Sequence, residues 1–354
     1  MSAKIRFSFL FLLLVTACSK NMNTPMEPDF MNPPEDLDPF VQNQRIAKSV
    51  NFGNMLEAPN EGDWGVVLQE EYFDLVKSAG FTAVRIPVRW STHAASTSPF
   101  SIDPTFMRRV EWAVEQALTR ELAVIINIHH YEEIMEKPAN HKARFLRMWE
   151  QVGRYFKDYS GDLIFEVLNE PHNALTQALW NDYLLEAIDV IRETNPGRTL
   201  IIGPGFWNNI NSLAQLKLPE DDQNIIATVH FYSPFPFTHQ GASWVDGADA
   251  WLGTTWTGSA EEQEAIRNEL NTALTWAQAN NRPIYVGEFG AYSRADDTSR
   301  ARWTNFVTRE FEKRDFSWGY WEFGAGFGVY DRTAGAWRQS LLDALLPPAV
   351  NSNP

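Results

Sequence analysis

The sequence predicts one α/β domain, a single (β/α)8 TIM barrel. Three observations carry that reading. Eight short β-rich runs alternate with amphipathic helical stretches between residues 50 and 323. Runs such as "AVIINI" and "TLIIG" are apolar almost throughout, which suits strands buried on both faces of a parallel sheet. Polar and aromatic residues gather where the runs end, the place where such a barrel builds its site. The alternation alone leaves a doubly wound sheet open, and the ring of polar strand ends favours closure. At 354 residues the chain has room for one or two domains, and no second linker or internal repeat divides it.

The N-terminus has its own logic. Lys4 and Arg6 precede the apolar stretch 7–15, which is too short to span a bilayer as a mature helix. Val15-Thr16-Ala17-Cys18 then resembles a bacterial lipoprotein signal, so residues 1–17 are expected to be removed and Cys18 to carry lipid. An ordinary signal peptide cut nearby is the alternative. Both readings imply export, to a lipid-anchored place in the envelope (outer membrane or cell surface) or to the medium. Residues 18–39 carry Pro25, Pro28, Pro33, Pro34 and Pro39 among Asn and acidic side chains, and read as a solvated tether. The barrel domain is expected over 40–348, with a short tail at 349–354.

The expected strands are 50–56, 83–88, 123–129, 163–169, 198–204, 224–231, 283–290 and 317–323. Leu68, Tyr72, Leu75, Val76 and Ala79 follow helical spacing between the first two, and Phe106, Val110, Ala113, Val114, Ala117 and Leu118 do so after the second. Asp103-Pro104 supplies an N-cap followed by proline at the first helical position.

Composition narrows the function. A formal charge of −15, which becomes −17 without residues 1–17, repels a phosphate backbone and excludes nucleic acid as a partner. A neutral ligand is indifferent to that field. One cysteine excludes a disulfide scaffold or a cysteine-rich metal site.

Each expected strand ends in chemistry. Asn54 and Glu57 follow the first, and Arg85 lies in the second. His129 and His130 close the third, and Asn169-Glu170-Pro171-His172 the fourth. Trp207 and Asn208 follow the fifth, His230 and Tyr232 end the sixth, and Glu288 lies in the seventh. Trp321 and Glu322 lie in the eighth. A lone Asn is usually a turn former and a lone His a structural residue, but eight such endings in register point to one site. Glu170 and Glu288, on the fourth and seventh strands, would oppose one another across a closed mouth. Two opposed carboxyls can divide into a proton donor and a nucleophile, the pair that glycoside hydrolysis requires. Different neighbours can raise one pKa and lower the other. Arg85 is placed to hold one glutamate ionised, with Tyr232 adding a hydrogen bond.

The strings "GNMLEA", "VRIPVRW", "NIHHYEE", "FEVLNEPH", "HFYSPFPFTHQG", "VGEFGAY" and "WGYWEFG", in order from Asn51 to Glu322, resemble glycoside hydrolase family 5, the cellulase family. The resemblance implies that Glu170 is the acid/base and Glu288 the nucleophile of a retaining double displacement, with no metal or organic cofactor. It implies that Asn169 contacts the sugar 2-hydroxyl, that Arg85, His129, His230 and Tyr232 hold the two glutamates, and that Trp321 is the sugar platform. "GNMLEAPNEGDWG", the doubled His129-His130 and "FTHQG" with Trp244 are similar to a subset of endo-β-1,4-glucanases. There Asn54, Glu57, His130, His239 and Trp244 would also line the cleft.

The connection after the sixth strand carries Phe231, Tyr232, Phe235, Phe237, Trp244, Trp251 and Trp256. About half of these rings are expected to pack the loop against the barrel, with Trp244 left for sugar. "GAGFG" at 324–328 lacks the spacing of a phosphate loop and is expected to be a flexible cleft loop. His129, His130 and His239 are not expected to bind metal, because neighbours in a strand point to opposite faces. The expected partner is a β-linked glucan, with mannan or xyloglucan as the alternative. A monomer is expected, touching membrane only through its lipid. A glycan-binding barrel without activity is the rival of another class. Replacing Cys18 with Ser should move the protein from membrane to soluble fractions on immunoblots; persistence in the membrane would refute the lipid-anchor reading.

Overall fold

The computed structural model describes residues 30–34 and 37–348. The signal segment, Cys18 and the tail 349–354 lie outside the described residues. Eight parallel strands close into a barrel, each paired with the next and the last with the first. They are β1 (Lys48–Asn51), β2 (Ala83–Ile86), β3 (Ala123–Asn127), β4 (Leu163–Glu166), β5 (Leu200–Ile202), β6 (Ile225–Phe231), β7 (Ile284–Phe289) and β8 (Ser317–Tyr320). Closure removes the doubly wound alternative. Among the described residues no helix is long and apolar enough to cross a membrane.

The strands are shorter than the apolar runs suggest. The first begins earlier, at Lys48, and stops at Asn51, with 53–56 already in turns. The helix expected around residues 68–79 forms as Glu70–Ala79 and ends at Gly80 in the left-handed conformation. Asp103 caps the helix Pro104–Leu118 by accepting from the Thr105 and Phe106 N–H groups.

Period-two alternation divides each strand between two environments. Outward side chains such as Val84, Val124, Ile126 and Phe165 join the shell packed under the helices. Inward side chains form two layers. The lower layer is apolar: Ile46, Ala83, Ala123, Ile125, Ile164, Ile201, Ile226 and Tyr285 make a separate core. The layer above it is polar, with Ser49, Asn51, Arg85, Asn127 and Glu166 all fully buried. The barrel is therefore sealed below and chemically equipped above.

The chain enters from the sealed end. Asp38 caps the helix Pro39–Arg45, and Arg45 grips Asp162, just before β4, with Nε and Nη2 at 2.9 and 2.8 Å. The tether expected to run to residue 39 meets the barrel earlier. Phe30 stacks on Tyr159 with centroids 5.9 Å apart, and its carbonyl accepts from Ser160 N at 2.7 Å. Aromatic burial outweighs the proline-rich composition there.

Arg198 locks the same end. Its buried guanidinium donates to the carbonyls of Phe156, Tyr159, Ser160 and Leu163 and to Asn195 Oδ1. Arg198→Met would strand these acceptors away from water and should cost at least about 3 kcal/mol of stability. Calorimetry is expected to show the loss, with turnover on a soluble substrate unchanged at a temperature where both proteins are folded.

Candidate active site

The site grows out of the polar layer. Arg85 in β2 has no exposed surface, so every N–H of its guanidinium needs an acceptor. Nε and Nη2 reach the two oxygens of Glu166 at 2.5 and 2.7 Å. Nη1 donates to Asn51 Oδ1 and to Glu288 Oε1, both at 2.8 Å, and Nη2 also donates to Asn169 Oδ1 at 2.7 Å. Side chains from β1, β4 and β7 thus meet on one cation.

Glu288 should not point inward at all. Tyr285 faces the barrel interior, so plain alternation would turn Glu288 towards the helices. A bulge intervenes: Val286 pairs with Val229, but Glu288 pairs with His230, leaving Gly287 as the extra residue. A Cβ on Gly287 would lie 2.8 Å from Thr228 Oγ1 and 3.2 Å from His230 Nε2, so glycine is needed there. The bulge turns Glu288 into the cavity, where His230 already points by plain alternation from Ile226.

Glu170, beyond β4, takes a left-handed backbone with φ 45°, unusual for a glutamate and a local strain at the mouth. His230 Nδ1 donates to its Oε1 at 2.6 Å, while Asn208 Nδ2 donates to His230 Nε2 at 3.2 Å. Tyr232 donates its hydroxyl to Glu288 Oε2 at 3.0 Å. Glu170 keeps a quarter of its side-chain surface exposed against 7% for Glu288. Donor atoms of Glu170, His230 and Glu288 all lie within 4.8 Å of one another. A cation would accept that spacing, but here His230 serves Glu170 and Arg85 holds Glu288.

The electrostatics separate the groups. Burial alone would raise the Glu288 pKa, yet His230, Arg85 and the Tyr232 hydroxyl outweigh it and hold the carboxyl below its ordinary value. Burial pulls His230 down, and the two glutamates more than compensate, leaving it raised. His129 is held well below its ordinary value by burial and by His130 and Arg85, which keeps it neutral. Burial and the two carboxylates push Tyr232 well up, so it remains a donor.

Residues 46–326 match the Cellulase (glycosyl hydrolase family 5) family. The chain belongs to glycosyl hydrolase family 5. It is 38% identical over 324 residues to Endoglucanase H of Acetivibrio thermocellus, covering 90% of this chain but 34% of that one, so it spans about a third of that curated relative. The structure of endoglucanase Cel5A from Thermotoga maritima superposes with a TM-score of 0.86 at 52% identity, over 88% of this chain and 100% of that one. Cellulose synthase subunit Z from Clostridioides difficile matches with a TM-score of 0.83 at 40% identity, over 85% of this chain and 99% of that one.

Around the family 5 centre the cleft walls depart from the sequence reading in places. The two histidines do not point to opposite faces, because β3 ends at Asn127. His130 turns left-handed with φ 49°, and the two rings meet edge to face at 4.5 Å. His129, whose Nδ1 accepts from Asn127 Nδ2 at 3.1 Å, lies parallel to Trp321 at 5.9 Å. Glu57 does not line the cleft. It is fully buried, and its carboxylate accepts from the Asn54 and Met55 N–H groups, so it shapes the left-handed turn at Asn54 instead. His239 is buried among Phe235, Tyr232, Phe327 and Trp244, and burial holds its pKa down to about 4.

Phe231 at the end of β6 and Phe237 and Trp256 in the loop after it are buried, while Trp244 is 58% exposed. Trp64 stands exposed beside His130. On the Glu170 side, Trp207 stacks on His172 at 4.8 Å with half its surface open. Glu132 reaches both His130 and His172 at 3.6 Å. The sequence reading overlooked Glu166, Asn51 and Asn127 as parts of the site, and named His172, Trp207 and Asn208 only as strand endings. A charge inside the apolar run "LIFEVL" was the one available signal for Glu166.

The loop 324–328 is pinned rather than free. The Glu322 carboxylate accepts from the Gly324, Ala325 and Phe327 N–H groups at 2.7 to 3.0 Å. Burial pushes Glu322 up to about 7 against the pull of those donors, and burial does the same to Glu57. A carboxyl with a folded pKa above its ordinary 4.5 stabilises most while protonated. Its contribution is full below 4.5 and is lost as pH rises through 7. The melting temperature of wild type relative to Glu322→Gln should therefore fall between these pH values, since the buried histidines, which contribute the opposite slope, are common to both proteins. A variant with the wild-type slope would refute this account.

Proposed function

We propose that this chain is a retaining endo-β-1,4-glucanase acting on cellulose-type or mixed-linkage glucan. One observation carries the reading: oxygens of Glu170 and Glu288 approach within 4.8 Å. Retaining glycosidases hold their carboxyls about 5–5.5 Å apart, whereas inverting enzymes leave about 6.5–9.5 Å for a water. Two carboxyls this close suit direct attack by one of them.

In the first step Glu288 attacks the anomeric carbon while Glu170 gives its proton to the departing glycosidic oxygen. In the second Glu170 takes a proton from water, which breaks the ester to Glu288 and returns both groups to their starting states. The deeper, hydrogen-bonded Glu288 is held ionised, and the more exposed Glu170 can reach water. Asn169, whose Oδ1 is taken by Arg85, presents its amide donors to the 2-hydroxyl. Trp321, held parallel to His129, offers its face to the sugar ring. Exposed Trp64 and Trp207, beside His130 and His172, offer ring surface for further sugar units of a chain, which suits internal cleavage.

Mannan cleavage by the same mechanism is the second reading. The Thermotoga maritima relative has been solved with cellobiose and with mannotriose. We also propose a lipid anchor at Cys18. Entry of the chain at the sealed end of the barrel would leave the cleft facing away from the membrane.

Reducing-end release from carboxymethyl-cellulose, barley β-glucan, xyloglucan, glucomannan and galactomannan tests the assignment. Release should be strongest from the glucans and vanish in Glu288→Gln. Glu170→Gln should slow polymers by about 10²–10⁴-fold and activated aryl glycosides far less. Release from mannans alone would replace the substrate; equal losses of Glu170→Gln on both substrate types would remove Glu170 as the acid.

A further inference from the structure

Glu166 is the largest unexplained expense of the barrel interior. It is a fully buried carboxylate that makes no cleft contact, in a strand whose other inward residue, Ile164, is apolar. If packing were the only requirement, an apolar side chain would fill the position without the desolvation of a charge. Its two oxygens meet Nε and Nη2 of Arg85 in the forked geometry that makes the strongest guanidinium–carboxylate contact. Glu288 receives only Nη1, in one bond, and shares that nitrogen with Asn51.

We propose that Glu166 is a positioning residue that divides the Arg85 guanidinium between two carboxylates and so keeps Glu288 basic enough to attack. The inference rests on Glu288 being the nucleophile. A carboxylate facing an unshared, desolvated guanidinium is a weaker base, and a weaker base is a weaker nucleophile towards the anomeric carbon. With Glu166 in place most of the positive charge is answered below the site, and Arg85 orients Glu288 without quenching it. Asn169 benefits from the same fork, because the Nη2 that Glu166 fixes also donates to Asn169 Oδ1.

The other groups facing Glu288 are accounted for. From β6 and its end come His230, with Nδ1 3.6 Å away, and the Tyr232 hydroxyl. Glu170 stands beyond His230, while His239 and Tyr285 feel Glu288 only through space. None of these hydrogen-bonds Glu166, and although Tyr285 feels its charge through space, the bonded route from Glu166 to Glu288 runs through Arg85.

The test is the pH profile of kcat/KM on an activated aryl cellobioside for wild type, Glu166→Gln and Glu166→Asp, with folding checked by thermal unfolding. In Glu166→Gln the acid limb should move about one unit towards lower pH. kcat/KM at the optimum should fall more than kcat does where ester hydrolysis is limiting, since a less basic Glu288 leaves more easily. Glu166→Asp keeps the charge but loses reach, and its limb should lie between the other two. If Glu166→Gln does not fold, the direction of the Glu166→Asp shift decides alone. A side chain that only supports the fold would lower rates at every pH alike. An acid limb that stays in place or moves upward in the folded variants would overturn the proposal. An inactive wild type, or activity surviving in Glu288→Gln, would instead refute the two-glutamate reading.

Discussion

A guanidinium with no access to water must find an acceptor for every N–H, and Arg85 finds its five on four side chains from three strands. That requirement organises the upper half of the barrel. Asn51 arrives on β1, Glu166 and Asn169 on and after β4, and Glu288 on β7. These strands are not neighbours, so the cluster can form only when the sheet has closed on itself. Packing of the lower apolar layer makes closure favourable, and the charge cluster above it fixes how the strand ends face one another.

Irregular backbone then finishes what the regular strands begin. The bulge at Gly287 turns Glu288 inward, and left-handed residues at Asn54, His130 and Glu170 redirect the chain at the mouth. Phe206, Trp207 and Asn208 share that conformation in succession, which brings Asn208 to His230 while leaving two aromatic rings in solvent. A Cβ on Gly203 would stand 2.2 Å from Asn208 Oδ1, so a glycine earlier in the same connection is part of the same arrangement. Departures from ideal geometry concentrate where ligand is handled. The sealed end instead uses backbone carbonyls gathered on Arg198 and an ion pair between Arg45 and Asp162.

The two ends therefore do different physical work. Below, apolar residues and saturated hydrogen bonds stabilise. Above, two carboxylates, a histidine and a tyrosine are held at unlike exposures, which gives neighbouring carboxyls unlike roles in the proposed reaction. The walls add rings whose faces are open at Trp64, Trp207 and Trp244. Aromatic faces meet the C–H faces of sugars without any charge, consistent with an acidic protein whose field does not attract its ligand.

Much of this was legible in the linear chain because it depends on local pattern. Alternating runs and helices imply a parallel α/β fold, and polar residues at the ends of the apolar runs favour closure into a barrel and mark its mouth. Glu170 and Glu288 stand out as carboxyls at two such ends. Register was not legible. Strand ends fell short of their apolar runs, and with them the face on which His130 lies, since a run of apolar residues does not say where hydrogen bonding stops. Nor does sequence show that Glu57 turns its carboxylate onto its own loop or that Glu322 is caged by the backbone N–H groups that follow it. Those outcomes depend on which backbone N–H groups are left without partners after folding. The sequence determined which groups could do chemistry, because residue type and spacing carry that information. Only the tertiary structure decided which carboxylate shares Arg85 with which, because that follows from burial and closure rather than from position along the chain.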